Sequence, residues 1–263
     1  MPSDDDLNER LRRLGFRLPR DAFAAFLTHL HKSRVSPTET LEQLADLEER
    51  ARDTVNLARR TRTACLGTCK PFDRFDWAHP RVIDRPLIDR LMTLEFVERG
   101  ANVLIKGGSG VGKTMIAQNV GLAGLAAGYS VRFSSLATAL ADLLGQESLP
   151  AFERRLRRYL RPDLLILDEL GYLPCDGRAA DILYNIVSRR HAGRSTVITT
   201  NLAFKQWGAV FPGAACVAAL IDRFNQHCHK LAITADSWRE THPFDHDNDD
   251  PSPRPRRRGR KKR

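Results

Sequence analysis

The sequence predicts an α/β fold: a three-layer core with a parallel five-stranded sheet between helices, preceded by a small all-helical domain. Three observations carry this. Strand-like runs at 102–105, 130–134, 164–167, 196–200 and 231–233 alternate with stretches of helical periodicity. That is the pattern of βα units, whose crossovers make neighbouring strands parallel. The run Leu164-Leu165-Ile166-Leu167 is apolar on both faces, as a strand covered by helices on each side must be. At 102–127 an apolar run, a glycine-rich octet and a helix-prone stretch follow one another directly. The chain divides into a helical domain at 1–70, a connector at 71–86, the core at 87–244 and a charged tail at 245–263, which is expected to be disordered.

Bulk composition bounds the function. With 263 residues and 42% hydrophobic composition, the chain can bury one α/β core and a smaller appendage. No apolar run approaches the roughly 20 residues that span a bilayer, so no membrane contact is expected. The acidic start, Met1 to Asp6, lacks a signal-peptide pattern, and five cysteines without repeated spacing suit reduced thiols in a cytoplasm. The net charge is +10. Residues 254–263 hold eight Arg or Lys and residues 245–250 hold four Asp, so residues 1–244 still carry +6. A basic body suggests a polyanionic partner, nucleic acid first; a merely soluble surface is the plainer alternative.

The helical domain is read from its caps and stripes. Leu7, Leu11 and Leu14 are helically spaced and end at Gly15; Phe23, Phe26, Leu27 and Leu30 share one face of a second helix. Ser36-Pro37-Thr38-Glu39 is a helix start, with Ser as N-cap, Pro in the first position and Glu three residues after the cap. Leu41, Leu44, Leu47, Ala51 and Val55 then form a stripe, and Glu48 precedes Arg52 by four residues, the favourable order. The domain is either a module that binds DNA or a partner, or a structural cap. Arg59, Arg60 and Arg62 either contact phosphate or solvate a helix end. Cys65 and Cys69 have no second pair at zinc spacing. In the connector, Phe72, Phe75 and Trp77 read as packing anchors, with a place at the edge of an adenine pocket as the lesser alternative. Residues 87–99 pair apolar side chains at helical spacing and read as one amphipathic helix.

Residues 107–114 read Gly107-Gly108-Ser109-Gly110-Val111-Gly112-Lys113-Thr114, fitting the phosphate-loop pattern G-x-x-x-x-G-K-[ST] in its proper strand–loop–helix context. Glycines without a Cβ let the backbone N–H groups curl around phosphate oxygens. The following helix, from Met115, adds its positive dipole end. Lys113 suits the β- and γ-phosphates of ATP, and the Thr114 hydroxyl suits Mg²⁺.

Past the loop, helical stretches at 136–144 and 151–160 precede the acidic strand. The second carries Arg154, Arg155, Arg157, Arg158 and Arg161 around an apolar face of Phe152, Leu156, Tyr159 and Leu160. Those arginines could track a phosphate backbone, form a solvated face, or pair with acids of a neighbouring subunit. The acidic strand ends in Asp168-Glu169, at the carboxyl end where open α/β sheets bind ligands. Asp168 suits Mg²⁺, and Glu169 suits the general base for an attacking water. The distance between the loop and this strand leaves room for a further strand between them. Thr196 to Thr200 ends in Asn201, whose amide could contact the γ-phosphate or orient water; a plain turn Asn is the alternative. A last helix at about 215–227 holds Arg223, and His227-Cys228-His229 lacks a fourth ligand for a metal. The tail segregates its charge and has few apolar side chains. Its basic end either binds nucleic acid or only solubilises.

These motifs together resemble the AAA+ ATPases of the IstB/DnaC-like family, over nearly the whole chain from Leu7 to His242. The residues that carry the likeness are Gly107 to Thr114, Asp168-Glu169-Leu170-Gly171-Tyr172, Thr199-Thr200-Asn201-Leu202 with Trp207, Ile221-Asp222-Arg223 and Ser237-Trp238-Arg239. The acidic motif and the Thr-Thr-Asn string look more like the helper ATPases of insertion-sequence transposition than the helicase loaders. The resemblance implies an ATPase without a separate C-terminal lid, using ATP and Mg²⁺. Asn201 would be a sensor, Arg223 an arginine finger for the adjacent subunit, and Arg239 a nucleotide-linked or interface arginine. It implies self-association through the ATP sites, binding to duplex DNA, and recruitment of a transposase. The helix at 151–161 falls where the clade has an insertion used in assembly and DNA contact. A replicative helicase loader is the rival reading. No spaced triad of metal-binding carboxylates appears, so the transposase chemistry itself is not expected here.

Overall fold

The structure, a computed structural model of the chain, describes residues 4–33, 35–171, 177–191 and 193–241. Three helices come first: α1 (Asp4–Arg13), α2 (Arg20–Lys32) and α3 (Pro37–Ala64). Then follow a short strand β1 (Val82–Ile83), α4 (Arg85–Met92), α5 (Glu95–Glu98), β2 (Asn102–Gly107), α6 (Lys113–Ala126), β3 (Val131–Ser135), α7 (Leu136–Leu144) and α8 (Leu149–Leu160). The chain continues with β4 (Leu164–Leu170), α9 (Gly177–Arg190), β5 (Ser195–Thr200), α10 (Trp207–Val210), α11 (Val217–Asn225), β6 (Cys228–Thr234) and α12 (Trp238–Thr241). The charged tail lies outside the described residues.

The strands lie in the order β1-β6-β2-β5-β4-β3. Five are parallel, as expected, and a further strand does lie between β2 and β4, but it is β5, which follows β4 in the chain; β3, the strand inside the sequence gap, lies at the edge beyond β4. The sheet has a sixth member that periodicity does not predict. β1 runs antiparallel on the β6 edge, with Val82 opposite Thr234. Two residues have no periodicity to read; main-chain pairing alone defines this strand, extended by Arg81 N–H to Thr234 O at 2.8 Å. A second correction concerns residues 87–99, which form two helices rather than one. Leu94 takes a left-handed φ of 65° between α4 and α5, and this break lets both Leu87-Ile88-Leu91 and Phe96-Val97 be buried.

Side chains alternate across the sheet with the period of two that strands impose. Leu165 and Leu167 of β4 pack with α7, α8, α9 and α11, through Leu140, Leu156, Leu183 and Phe224. Leu164 and Ile166 point the other way, to Leu66, Ile116 and Leu125 beneath α6. The helical domain reaches this second layer. Ala64 and Leu66, at and just past the end of α3, are buried in it, and Gln118 Nε2 and Asn119 Nδ2 donate to the carbonyls of Leu66 and Lys70.

The N-terminal bundle has its own small core of Leu18, Phe23 and Phe26, packed by Leu27, Leu30, Leu44, Leu47 and Ala51. The expected stripe on α3 is only partly used: Leu41 is 66% exposed and Val55 49%. The reason is length. The 28 residues of α3 extend about 42 Å, and the 13 of α2 cover about 20 Å of it.

Glu48 fastens the bundle. Its buried carboxylate accepts from the backbone N–H of Arg17 (2.8 and 2.9 Å) and Leu18 (3.0 Å), and from Arg52 Nε at 2.5 Å. Burial alone would raise its pKa. The hydrogen bonds from Arg52, Arg17 and Leu18 outweigh that and hold it below its ordinary 4.5. A carboxylate with a lowered folded pKa stabilises above its unfolded value and loses that stability as pH falls through the folded one. Glu48→Ala leaves the buried N–H of Leu18 and the part-buried N–H of Arg17 without acceptors and should cost about 2 kcal/mol at pH 7. In urea unfolding, the gap between wild type and variant should shrink once the pH drops below about 4. A gap that persists unchanged at pH 3 would contradict this role.

Candidate functional site

The glycine-rich loop links β2 to α6 at the carboxyl end of the sheet. Gly110 and Gly112 have φ of 70° and 91°, the left-handed region that glycine enters without steric cost. Both are also closely packed. A Cβ on Gly110 would sit 2.5 Å from Ser237 Oγ, and one on Gly112 would sit 2.6 Å from Phe75 Cε2. The Trp238 N–H donates to Gly110 O at 3.3 Å. Gly107 closes β2, the backbone turns through Gly108 and Ser109, and Val111 is buried beneath the turn. Lys113 is 6% exposed, and its Nζ donates to Gly108 O at 2.5 Å, so the ammonium lies within the curve of the loop. The first N–H groups of α6, at Lys113, Thr114 and Met115, have no carbonyl of their own helix to bond, and the helix dipole adds positive potential there.

The two acids lie on the neighbouring part of the sheet. Thr114 Oγ1 donates to Asp168, at 2.9 Å to Oδ2 and 3.2 Å to Oδ1. Asp168 is buried, whereas Glu169, the next residue, is exposed. A bulge separates them. Between Leu167 and Leu170 the β4 strand has one residue more than its partner β5 between Ile198 and Thr200. The two acids therefore face one residue, Thr199, whose hydroxyl bonds both: it donates to Asp168 Oδ1 and accepts from the Glu169 N–H at 2.9 Å. Glu169 pays for the kink with a φ of 65°, a left-handed conformation that costs a non-glycine residue about 1–3 kcal/mol and concentrates at functional sites.

The remaining candidates fall in three places. Asn201 is exposed at the tip of β5, its Oδ1 within 3.3 Å of where a Cβ on Gly171 would stand, so it lies beside the end of β4. Arg223 lies on α11, whose end is held at the opposite margin of the sheet: Asn102 Nδ2, at the start of β2, donates to Phe224 O at 3.0 Å. The strand length separates that point from the loop by about 17 Å, too far for one side chain. Arg239 belongs to α12, and its side chain lies outside the described residues, as does Tyr172. On α8, Arg154, Arg157, Arg158 and Arg161 are exposed, while Arg155 is ion-paired with Asp142 at 3.0 Å.

The donor set fits the groups that the motif implies. The loop curves around the buried Lys113, and a Cβ at Gly110 or Gly112 would break its close packing against Ser237 and Phe75. A hydroxyl and a carboxylate within hydrogen-bond distance are hard oxygen ligands of the type Mg²⁺ takes. Sequence reasoning assigns Thr199 and Ser237 no site role of their own, although both stand in the motifs that carry the family likeness, and it reads Phe75 chiefly as a packing anchor. A threonine inside a buried strand carries no local signal, and the other two reach the loop only through the fold.

A phosphate loop on β2, an acidic bulge on β4 and an intervening β5 define a nucleotide-binding protein of AAA+ architecture. Comparison with known proteins carries this to a family. Residues 10–245 match the sequence profile described as IstB-like ATP binding protein. The insertion sequence IS21 putative ATP-binding protein of Pseudomonas aeruginosa is 32% identical over 215 residues, 82% of this chain and 81% of its own. The insertion sequence IS5376 putative ATP-binding protein of Geobacillus stearothermophilus is 27% identical over 233 residues, 89% and 93% of the two chains. Among solved structures, DnaI superposes with a TM-score of 0.53 at 18% identity, covering 65% of this chain and 90% of that one, a likeness of fold. The chain belongs to the family of IstB-like ATP binding proteins. Among the described residues, no helix is long and apolar enough to cross a membrane.

Proposed function

We propose that this chain is an ATP-dependent, DNA-binding helper ATPase of transposition, which assembles on duplex target DNA and recruits or stimulates a separate transposase. The observation that carries the ATPase part is the bulge that buries Asp168 against Thr114 and turns Glu169 outward beside it. A single strand end thus presents one carboxylate to a cation and another to solvent. Lys113 and the α6 N–H groups hold the phosphates. Thr114 and Asp168 would hold Mg²⁺, which neutralises phosphate charge when bound. Glu169 takes a proton from the attacking water, and Asn201 orients that water or the γ-phosphate. Arg223 lies too far from its own loop to serve it, which supports a role at the site of an adjacent subunit and hence self-association through the ATP sites. Arg239 acts at the nucleotide or the subunit interface.

The transposition part rests on the relatives, which are named for insertion sequences, and on the basic body of the chain. The test is sizing and gel shift on duplex and single-stranded DNA with ATP, ADP or neither. The expected result is a large duplex-bound assembly with ATP that dissociates with ADP. A preference for single strands together with capture of a replicative helicase would replace this reading with that of a loader.

A further inference from the structure

An open cleft of about 610 Å³ lies where the end of α3 meets β3 and α8. Six arginines line it: Arg62 of α3, Arg132 of β3, Arg154, Arg157 and Arg158 of α8, and Arg161 at the end of that helix. No acidic side chain and no aromatic ring lines it among the described residues. The cleft is separate from the nucleotide loop. It adjoins Val131 and Pro162 at the start of β3 and β4, whereas Asp168 lies four residues along β4, about 13 Å away.

The charge in the cleft is organised. On α8, Arg154, Arg157, Arg158 and Arg161 fall at positions i, i+3, i+4 and i+7, one face of the helix. Arg155 points off that face and is neutralised by Asp142, and Glu153 is taken by Arg189 at 3.1 Å. Among the described residues, none of Arg62, Arg154, Arg157, Arg158 and Arg161 has an ion-pair partner. The walls are tied together by Arg132, which donates to Thr63 O (3.3 Å) and Cys65 Sγ (3.0 Å) on the α3 side. Its guanidinium also stands 5.8 Å from the Tyr159 ring of α8. Its Nε is buried and has no hydrogen-bond partner among the described residues. The end of α8 is fixed in turn by the buried Arg190, which donates to the carbonyls of Tyr159, Leu160, Pro162, Asp163 and Ser195. A rigid frame therefore gathers like charges that no protein acid among the described residues balances.

We propose that this cleft seats the sugar–phosphate backbone of duplex DNA, jointly on the last helix of the N-terminal bundle and on the ATPase core. The proposal rests on the DNA-binding reading above and gives it a location. Guanidinium forks match phosphate oxygens. From Arg154 to Arg161 the helix rises about 10 Å, the span of roughly three phosphates along one strand. A seat for unstacked single strands would need aromatic platforms, which the cleft lacks among the described residues. Contacts of this kind fix position without reading sequence. The N-terminal bundle thereby becomes one wall of the DNA site, which neither α3 nor α8 alone would form.

The test is duplex binding by fluorescence anisotropy, with ATP, across a salt series. The paired substitution Arg62→Gln and Arg158→Gln should weaken binding about 10- to 100-fold near 0.1 M salt and reduce the slope of log K against log salt by about 2, near 0.9 for each phosphate that is no longer neutralised. The paired change to Lys keeps the charge and should retain the slope, which a folding defect would not. Bound duplex should also slow maleimide labelling of the exposed Cys65, read by peptide mass in the full chain. If wild type binds duplex but the Gln pair matches it in affinity and slope, the cleft is not the seat, while the ATPase and DNA readings stand. If wild type binds no duplex with any nucleotide, both fall. Equal protection of Cys65 by polyglutamate or by single strands of equal charge would overturn the duplex assignment.

Discussion

Lys113→Ala is expected to lower ATP affinity at least ~100-fold, equivalent to about 3 kcal/mol for losing a buried charge-assisted hydrogen bond to phosphate. Lys113 as a residue is 6% exposed, and its ammonium lies inside the loop, bonded to Gly108 O. Alanine leaves the loop glycines and their braces in place. The fold should persist, and the loss should appear in binding alone. Calorimetric titration measures it directly. A thermal melt gives a second reading, because a ligand raises the melting temperature of a protein only through its binding to the folded state. Wild type should be stabilised by ATP and the variant should not. An ATP affinity within threefold of wild type would remove the loop from the nucleotide site and the ATPase reading with it.

Glu169→Gln should lower the hydrolysis rate by about 10²–10³-fold while ATP still binds, the effect of deleting a general base. ATP-bound assemblies should then accumulate, visible as a stable high-mass species in sizing. Thr199→Val is the companion test. It removes the hydroxyl that bonds both Asp168 and the Glu169 N–H, so the bulge loses its tie across the strands. A roughly tenfold fall in kcat with little change in ATP affinity is expected, as for an interaction made chiefly in the transition state, with recovery in Thr199→Ser. Rapid turnover in Glu169→Gln would contradict the base assignment. A Thr199→Val variant that loses ATP affinity as severely as Lys113→Ala would show that Thr199 maintains the fold rather than positions the acids.

The parts of the site written in consecutive residues were legible. Gly107 to Thr114 and Leu164 to Glu169 announce themselves because a phosphate loop and a buried strand ending in acids are local patterns. The five parallel strands followed from periodicity for the same reason. What stayed hidden depends on residues far apart in the chain. Thr199 matters because a bulge 30 residues earlier sets two acids opposite it. Glu48 looks like half of a helix-surface ion pair with Arg52, yet its main task is to hold the main chain at Arg17 and Leu18. The five arginines of 154–161 read as one charged group, and only packing separates the paired Arg155 from the others and brings Arg62 and Arg132 beside them. The break at Leu94 was invisible because apolar pairs recur at helical spacing on both sides of it.

The loop at Gly110 and Gly112 is held by Ser237 and Trp238 from one end of the core and by Phe75 from the other. Trimming the chain past Phe75 from one side or past Ser237 from the other therefore loosens the nucleotide grip. A deletion that removes the helices together with the linker through Phe75, or that stops short of Ser237, should lose ATP even if the discarded piece never meets the nucleotide. Domain-dissection experiments on this protein need their cuts placed ahead of the core-buried end of α3 at Ala64 and Leu66, and after Thr241, or the missing function will be credited to the wrong segment.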